Sequence, residues 1–260
     1  MTTKICFLTL LFFTVGSFAK DQANIVSSKK DSLKNNNSKD TTNLQVPDGL
    51  TAKEVIDNYI SAIGGAEKIY NIVDRTTVMS GTMQRIDIKI TIYQKAPNKY
   101  KELIKVGGDE QAIIFDGEKG IRKLADENKE IKGSELEKLK YEATLALLAD
   151  PEHYGIVTKL DGIEKVNGDN AYKIIMVLPS GIRWTQYYDV KTGLKVRELK
   201  YIKAQAGLYQ QEIDYGDYRE SGGILYPFKI KQILGAQTME FAIDSIRVNT
   251  GLTDREFDIE

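Results

Sequence analysis

The sequence predicts a mainly β protein with some helix (α+β), built as a strongly curved antiparallel sheet with helices packed on its concave side. Three observations carry that expectation. Period-two alternation of apolar and polar residues dominates the chain beyond residue 72. Glycine-centred turn signals separate the alternating runs at short intervals, as hairpin connections do. Only two stretches, one in front and one in the middle, carry apolar residues at helical spacing.

The elements follow in chain order. Met1 to Lys4 is a short basic stretch, and Ile5 to Val15 is apolar and rich in Leu and Phe. Ser17 and Ala19 then place small residues where a signal peptidase needs them, so residues 1–19 are expected to be an export leader cut after Ala19. An apolar run of about eleven residues is too short to span a bilayer, where about twenty are needed. Cys6 is the one cysteine and lies at the start of the apolar run, whereas a lipoprotein acylation cysteine comes after such a run. The exported chain, expected in the periplasm, then has no thiol, which excludes disulfides, cysteine nucleophiles and thiolate metal sites. Residues 20–48 are rich in Lys, Asn, Ser, Asp and Thr and lack a core-forming pattern, so they are expected to be a disordered polar tether. Residues 49–260 amount to one domain.

That domain opens with "LTAKEVIDNYISAIGG", in which Thr51 and Glu54 form a capping box and Val55, Ile56, Tyr59, Ile60 and Ile63 share a helix face. Gly64 and Gly65 end the helix. A short turn over Ala66 to Ile72 leads into the sheet. Thr77, Met79, Gly81 and Met83 share one face of the first strand, and Ile86, Ile88, Ile90 and Ile92 share one face of the second. Asp116-Gly117, Asn167-Gly168, Pro179-Ser180-Gly181, Lys191-Thr192-Gly193 and Ser221-Gly222-Gly223 mark turns. "SELEKLKYEATLALLADPEHYG" reads as a helix capped by Ser134 and Glu137 and ending before Pro151, with Leu136, Leu139, Ala143, Leu147 and Leu148 on its apolar side. "AYKIIMVL" is apolar on both faces, the pattern of a strand covered on both sides. Met239, Phe241 and Ile243 are out of phase with Ile246 and Val248, which a bulge near Asp244-Ser245 would reconcile. The count is roughly ten strands.

Chemistry-bearing patterns are scarce. His153 is the one histidine and has no cysteine or second histidine with which to hold zinc. There is no nucleophile elbow, phosphate loop or dinucleotide fingerprint. The acids of "TGLTDREFDIE" lack calcium-loop spacing, and Asp214 with Asp217 reads as a solvated turn rather than an acid–base pair. No enzyme activity, cofactor or metal is expected. Loss of the leader leaves 35 basic against 37 acidic residues, a net charge near −2 that gives no reason to expect a nucleic acid partner. Trp184, the one tryptophan, shares a strand face with Ile182 and Tyr188. That face either fills a sealed core or lines a cavity, and the strand methionines 79, 83, 176 and 239 suit either role.

Several stretches together resemble the outer-membrane lipoprotein-sorting family, the periplasmic lipoprotein carriers of the LolA-like type. "LTAKEVIDNYISAIGG", "IFDGEKG", "YYDVKTGLKVR", "ILYPFKI" and "VNTGLTDREFDI" are similar to segments of that group and span most of Leu50 to Glu260. The resemblance implies an unclosed β-barrel with helices as a lid over a hydrophobic cavity that receives acyl chains. On the strand phases above, Met79, Met83, Ile88, Ile90, Ile92, Trp184, Met239 and Phe241 are then expected to line it. The partners implied are lipid acyl chains or lipoproteins, with an envelope membrane protein as a further partner and a monomeric carrier. The other reading open to the sequence is a non-enzymatic interaction or structural domain of the envelope with an ordinary closed core.

Overall fold

The computed structural model describes residues 45–83, 85–204 and 207–259. The expected leader, its cleavage after Ala19 and the tether as far as residue 44 lie outside the described residues. Helix α1 spans Ala52–Ala62, and its capping box forms as the sequence predicts: Glu54 N–H donates to Thr51 Oγ1 at 3.2 Å and Thr51 N–H donates to Glu54 Oε2 at 2.7 Å. Val55, Ile56, Tyr59 and Ile60 bury the predicted face. Burial of such side chains stabilises by about 1.5–3 kcal/mol each. Gly64, at φ +132°, turns the chain where a Cβ would meet the carbonyl of Gly223 at 2.7 Å, so helix and sheet approach closely there. Leu225 N–H donating to Ile63 O at 2.8 Å ties the two together. Helix α2, Ala66–Tyr70, follows.

One antiparallel sheet of thirteen strands forms the rest of the fold. The first meander runs β1 (Asp74–Met83), β2 (Ile86–Lys95), β3 (Lys99–Val106), β4 (Asp109–Phe115), β5 (Gly120–Lys123) and β6 (Asn128–Ile131). Helix α3 (Gly133–Ala143) and two 3-10 turns, Leu147–Ala149 and Glu152–Tyr154, then carry the chain to the opposite edge. The second meander runs β7 (Val157–Val166), β8 (Asp169–Val177), β9 (Arg183–Asp189), β10 (Lys195–Ala204), β11 (Gly207–Ser221), β12 (Ile224–Leu234) and β13 (Gln237–Val248). β13 pairs with β1, so the meanders join in mid-sheet, while β6 and β7 are edges that do not pair with each other. The barrel is therefore unclosed, and the helices lie over its concave face, as the sequence predicts. Thirteen strands replace the expected ten or so, because segments such as Asn128–Ile131 are too short and polar to show alternation.

The β13 bulge is present. Val78 pairs with Ser245 and Met79 with Ile243, leaving Asp244 as the extra residue that resets the phase. Its carboxylate accepts from Ser80 Oγ at 2.9 Å. Behind the sheet, Asp74 accepts from the N–H groups of Thr250, Gly251 and Leu252 and from the Thr250 hydroxyl, which clasps the C-terminal segment against β1.

Two expectations are corrected. The middle helix is not continuous to residue 150 and has no Ser134–Glu137 box. Its N-cap is Lys132, and Glu137 instead accepts from Ser180 N–H at 3.2 Å. It stops at Ala143, where extended Thr144 donates its hydroxyl to the Lys140 carbonyl at 2.9 Å, the local competition that β-hydroxyl side chains offer a helix. The break lets Leu139 and Ala143 pack on Tyr100, Ile113 and Phe115 while Leu147 turns into the main core. Strand β8 is not covered equally on both faces. Ile174 and Met176 are fully buried on the concave face, whereas Lys173, Ile175 and Val177 are half-buried on the convex one. There Ala171 shelters in a small cluster with Val166 and Tyr187, because side chains of the same face cover one another in place of a second layer.

Candidate functional site

The concave face does not pack solidly against the helices. A cavity of about 460 Å3 lies between them. One part of its wall is apolar: Ile60 of α1 and Ile63, which caps that helix, face Met79, Ile90, Ile92 and Phe241 of the sheet, with Leu147 and Leu148 closing from the 3-10 turn. Pairing explains how the strand residues assemble. Met79 stands opposite Ile90 on β2 and Ile243 on β13, and Gly81 stands opposite Phe241. A Cβ on Gly81 would lie 2.8 Å from the Phe241 ring, so glycine there lets the ring fold across the strand.

Of the eight residues expected from the sequence, Met79, Ile90, Ile92, Trp184 and Phe241 line the cavity. Ile88 and Met239 do not. They lie one step further along the same strand faces and are sealed in the packed core at 1 % and 2 % exposure. Met83 sits half-buried against that core where β1 turns into β2, paired with Ile86.

The other part of the wall is polar and charged, which the sequence reading did not foresee. Trp184, Gln186 and Tyr188 of β9 face inward together. Gln186 Nε2 donates to Glu198 Oε2 of β10 at 2.6 Å, and the Tyr188 hydroxyl donates to Gln186 Oε1. Glu198 is bracketed by Lys195 at 3.3 Å and Lys200 at 2.8 Å. Burial alone would push the Glu198 carboxyl up, but the two ammonium groups win and hold it down at about 2. Lys200 is held charged against its own burial by Glu142 and Glu198, and its Nζ lies 4.5 Å from the Trp184 ring centre. Glu142 belongs to α3 and meets Lys200 at 3.0 Å. Tyr141, its neighbour, packs edge-on against Trp184 with ring centres 6.4 Å apart.

Across the cavity, Gln94 ends the inward row of β2. Its Nε2 donates to the Glu142 carbonyl at 3.0 Å, and its Oε1 accepts from Arg75 Nε at 3.0 Å. The Arg75 guanidinium lies over the Tyr226 ring, 5.4 Å from its centre. Glu102, beside them on β3, accepts from the Tyr100 hydroxyl at 3.2 Å. Burial, reinforced by the negative charge of Glu142, pushes its carboxyl up to about 7.

The signal for these residues was in the strand phases. Gln94 continues the row of Ile86, Ile88, Ile90 and Ile92, Glu102 falls between Tyr100 and Ile104, and Gln186 falls between Trp184 and Tyr188. A polar side chain in an inward phase marks either a network or a site. The groups at hand can accommodate an apolar chain and hold polar atoms beside it. His153 is exposed on a 3-10 turn, its ring edge-on to Tyr154. Asp214 pairs with Arg197 and Asp217 with Arg219, separate from the cavity lining. Among the described residues no cluster of three or more His, Cys, Asp or Glu could hold a metal ion.

No family model and no curated protein matches the chain in sequence. Solved structures do match in fold. A DUF1329 family protein from Desulfovibrio piger superposes with a TM-score of 0.54 at 16 % identity, covering 80 % of this chain and 97 % of that one. A LolA superfamily protein from Nitrosomonas europaea gives a TM-score of 0.55 at 11 % identity, covering 80 % of this chain and 98 % of that one. The chain has a LolA-like fold.

Proposed function

We propose that the chain is an exported, non-enzymatic carrier that shelters the acyl chain of a lipid or lipoprotein between sheet and helices, with a role in lipoprotein sorting and outer-membrane biogenesis. The observation that carries this reading is the cavity itself. Its volume of about 460 Å3 lies within the range of roughly 300–1,000 Å3 typical of small-molecule sites. The apolar wall from Met79 to Phe241 offers the surface an acyl chain needs. At about 25 cal/mol per Å2, covering roughly 300 Å2 of chain supplies about 7 kcal/mol before the entropy of binding is subtracted, a scale compatible with uptake and release.

Entry requires the lid to move, and the lid is held by few polar ties. Helix α3 is fastened through Glu135 to Arg122 of β5, through Glu137 to the Ser180 N–H, through Lys138 to the Tyr201 carbonyl and through Glu142 to Lys200 and Gln94. Each tie joins the helix to the sheet or to the turn between β8 and β9, neither of which need move when it lifts. In this reading the carrier is exported to the periplasm by a leader over residues 1–19 and works there as a monomer, which an envelope membrane protein would load or unload.

Native mass spectrometry of protein purified from a periplasm tests the proposal. Co-purifying mass corresponding to a lipid or lipoprotein is the expected result. A clean apo mass, unchanged after incubation with a bacterial lipid extract, favours the envelope interaction domain instead.

A further inference from the structure

Three buried side-chain polar atoms among the described residues lack a hydrogen-bond partner: Trp184 Nε1, the Tyr226 hydroxyl and Gln232 Nε2. All three residues line the same cavity, at 3 %, 8 % and 4 % exposure. The indole and amide nitrogens can only donate, and the phenol can donate. The unmet demand of this wall is therefore for acceptor oxygens. Leaving such a donor buried costs stability, so three in one cavity indicate groups kept for an occupant.

The charges point the same way. Lys195 and Lys200 are balanced by Glu198 and Glu142. Arg75 forms no salt bridge among the described residues, and its guanidinium rests on the neutral amide oxygen of Gln94 and the face of the Tyr226 ring. A half-buried guanidinium without a counter-ion, beside an unpartnered phenol, matches an anionic, oxygen-rich group.

We infer that the occupant is an acyl amphiphile whose polar end presents a carboxylate or phosphate to Arg75 and Tyr226, with its chain against the apolar wall. This inference rests on the carrier reading above and adds the chemistry of the head. Trp184 and Gln232 offer further donors along the wall for acceptor oxygens such as ester carbonyls.

The test is calorimetric titration of the delipidated mature protein with hexadecanoate, hexadecyl phosphate, hexadecanol and hexadecylamine. The two anions are expected to bind at least tenfold tighter than the alcohol and the amine, which corresponds to about 1.4 kcal/mol. Whichever anion binds tighter identifies the head. Arg75→Met is expected to abolish the preference while leaving alcohol binding in place, and Tyr226→Phe to weaken anion binding severalfold. Tyr226→Phe deletes a hydroxyl with no partner, so its melting temperature is expected to stay level or rise; a purely structural hydroxyl would lower it. Should Arg75→Met not fold, Tyr226→Phe and Arg75→Lys take its place. Equal binding of all four ligands, or a preference that survives these changes, overturns the inference and leaves the carrier reading intact. Failure of every ligand to bind overturns the carrier reading as well.

Discussion

Replacing Glu102 by Gln should change how stability depends on pH. In the folded protein burial and the nearby Glu142 push the Glu102 carboxyl up to about 7, against an ordinary value of 4.5. Between those two values the folded chain keeps a proton that the unfolded chain releases, so stability falls as the pH rises through the window. At about 1.4 kcal/mol per pH unit, the whole span costs about 3 kcal/mol by pH 7.5. Glu198 has the opposite sign. Its depressed carboxyl contributes stability above pH 4.5 that is lost as the pH falls toward about 2. For these two groups together, stability is greatest near pH 4.5. Gln at position 102 retains an oxygen to accept from the Tyr100 hydroxyl and removes the titration. Urea unfolding at closely spaced pH values is the assay. Wild type should lose about 3 kcal/mol between pH 4.5 and 7.5, while Glu102→Gln loses little over that interval and exceeds wild type at pH 7.5. Parallel curves for the two proteins would refute the reasoning, because they would place Glu102 in contact with solvent.

Gly81→Ala should destabilise the sheet by about 2 kcal/mol, measurable by urea unfolding, because the new Cβ would lie 2.5 Å from the Glu240 carbonyl and 2.8 Å from the Phe241 ring. Lys200→Met leaves Glu142 and Glu198 without their shared cation and should cost about 3 kcal/mol. Since Lys200 also lies over Trp184, the same variant should shift the tryptophan emission of the apo protein; an unchanged spectrum would mean that the ammonium does not sit there. Asp74→Ala removes the acceptor for three backbone N–H groups and one hydroxyl and should cost about 3 kcal/mol. Proteolysis that becomes faster at residues 249–259 in that variant is the second readout, and unchanged cleavage there would contradict the clasp.

Local chemistry made much of the fold legible. Thr51 with Glu54, Asn167-Gly168 and the phase break at Asp244 each act over a few residues, and the structure contains all three. The meeting of β1 with β13 joins residues as far apart as Arg75 and Val248, a pairing no local pattern specifies. The middle helix stops at Ala143, where the Thr144 hydroxyl turns back on the Lys140 carbonyl, a local competition that the helical spacing of the leucines conceals. For the cavity, alternation told which face a side chain takes but not how deep the helices press upon it. Ile88 and Ile90 share a phase, yet only Ile90 borders the open space. Gln94 and Glu102 stood in inward phases beside apolar residues, whereas Arg75 and Glu198 had polar residues next to them, and charge in a single strand reads as a solvated face until its partners on other strands are known.

Trp184 is the one tryptophan of the chain and borders the cavity between Lys200 and Tyr141. An acyl chain entering there must displace the lid residue or water beside the indole, so tryptophan emission during titration with hexadecanoate reports directly on occupancy. A saturable shift in emission, matched in native mass spectra by one added ligand mass, is the expected result. Emission indifferent to every acyl ligand, with no bound mass at saturating concentration, would contradict the carrier function.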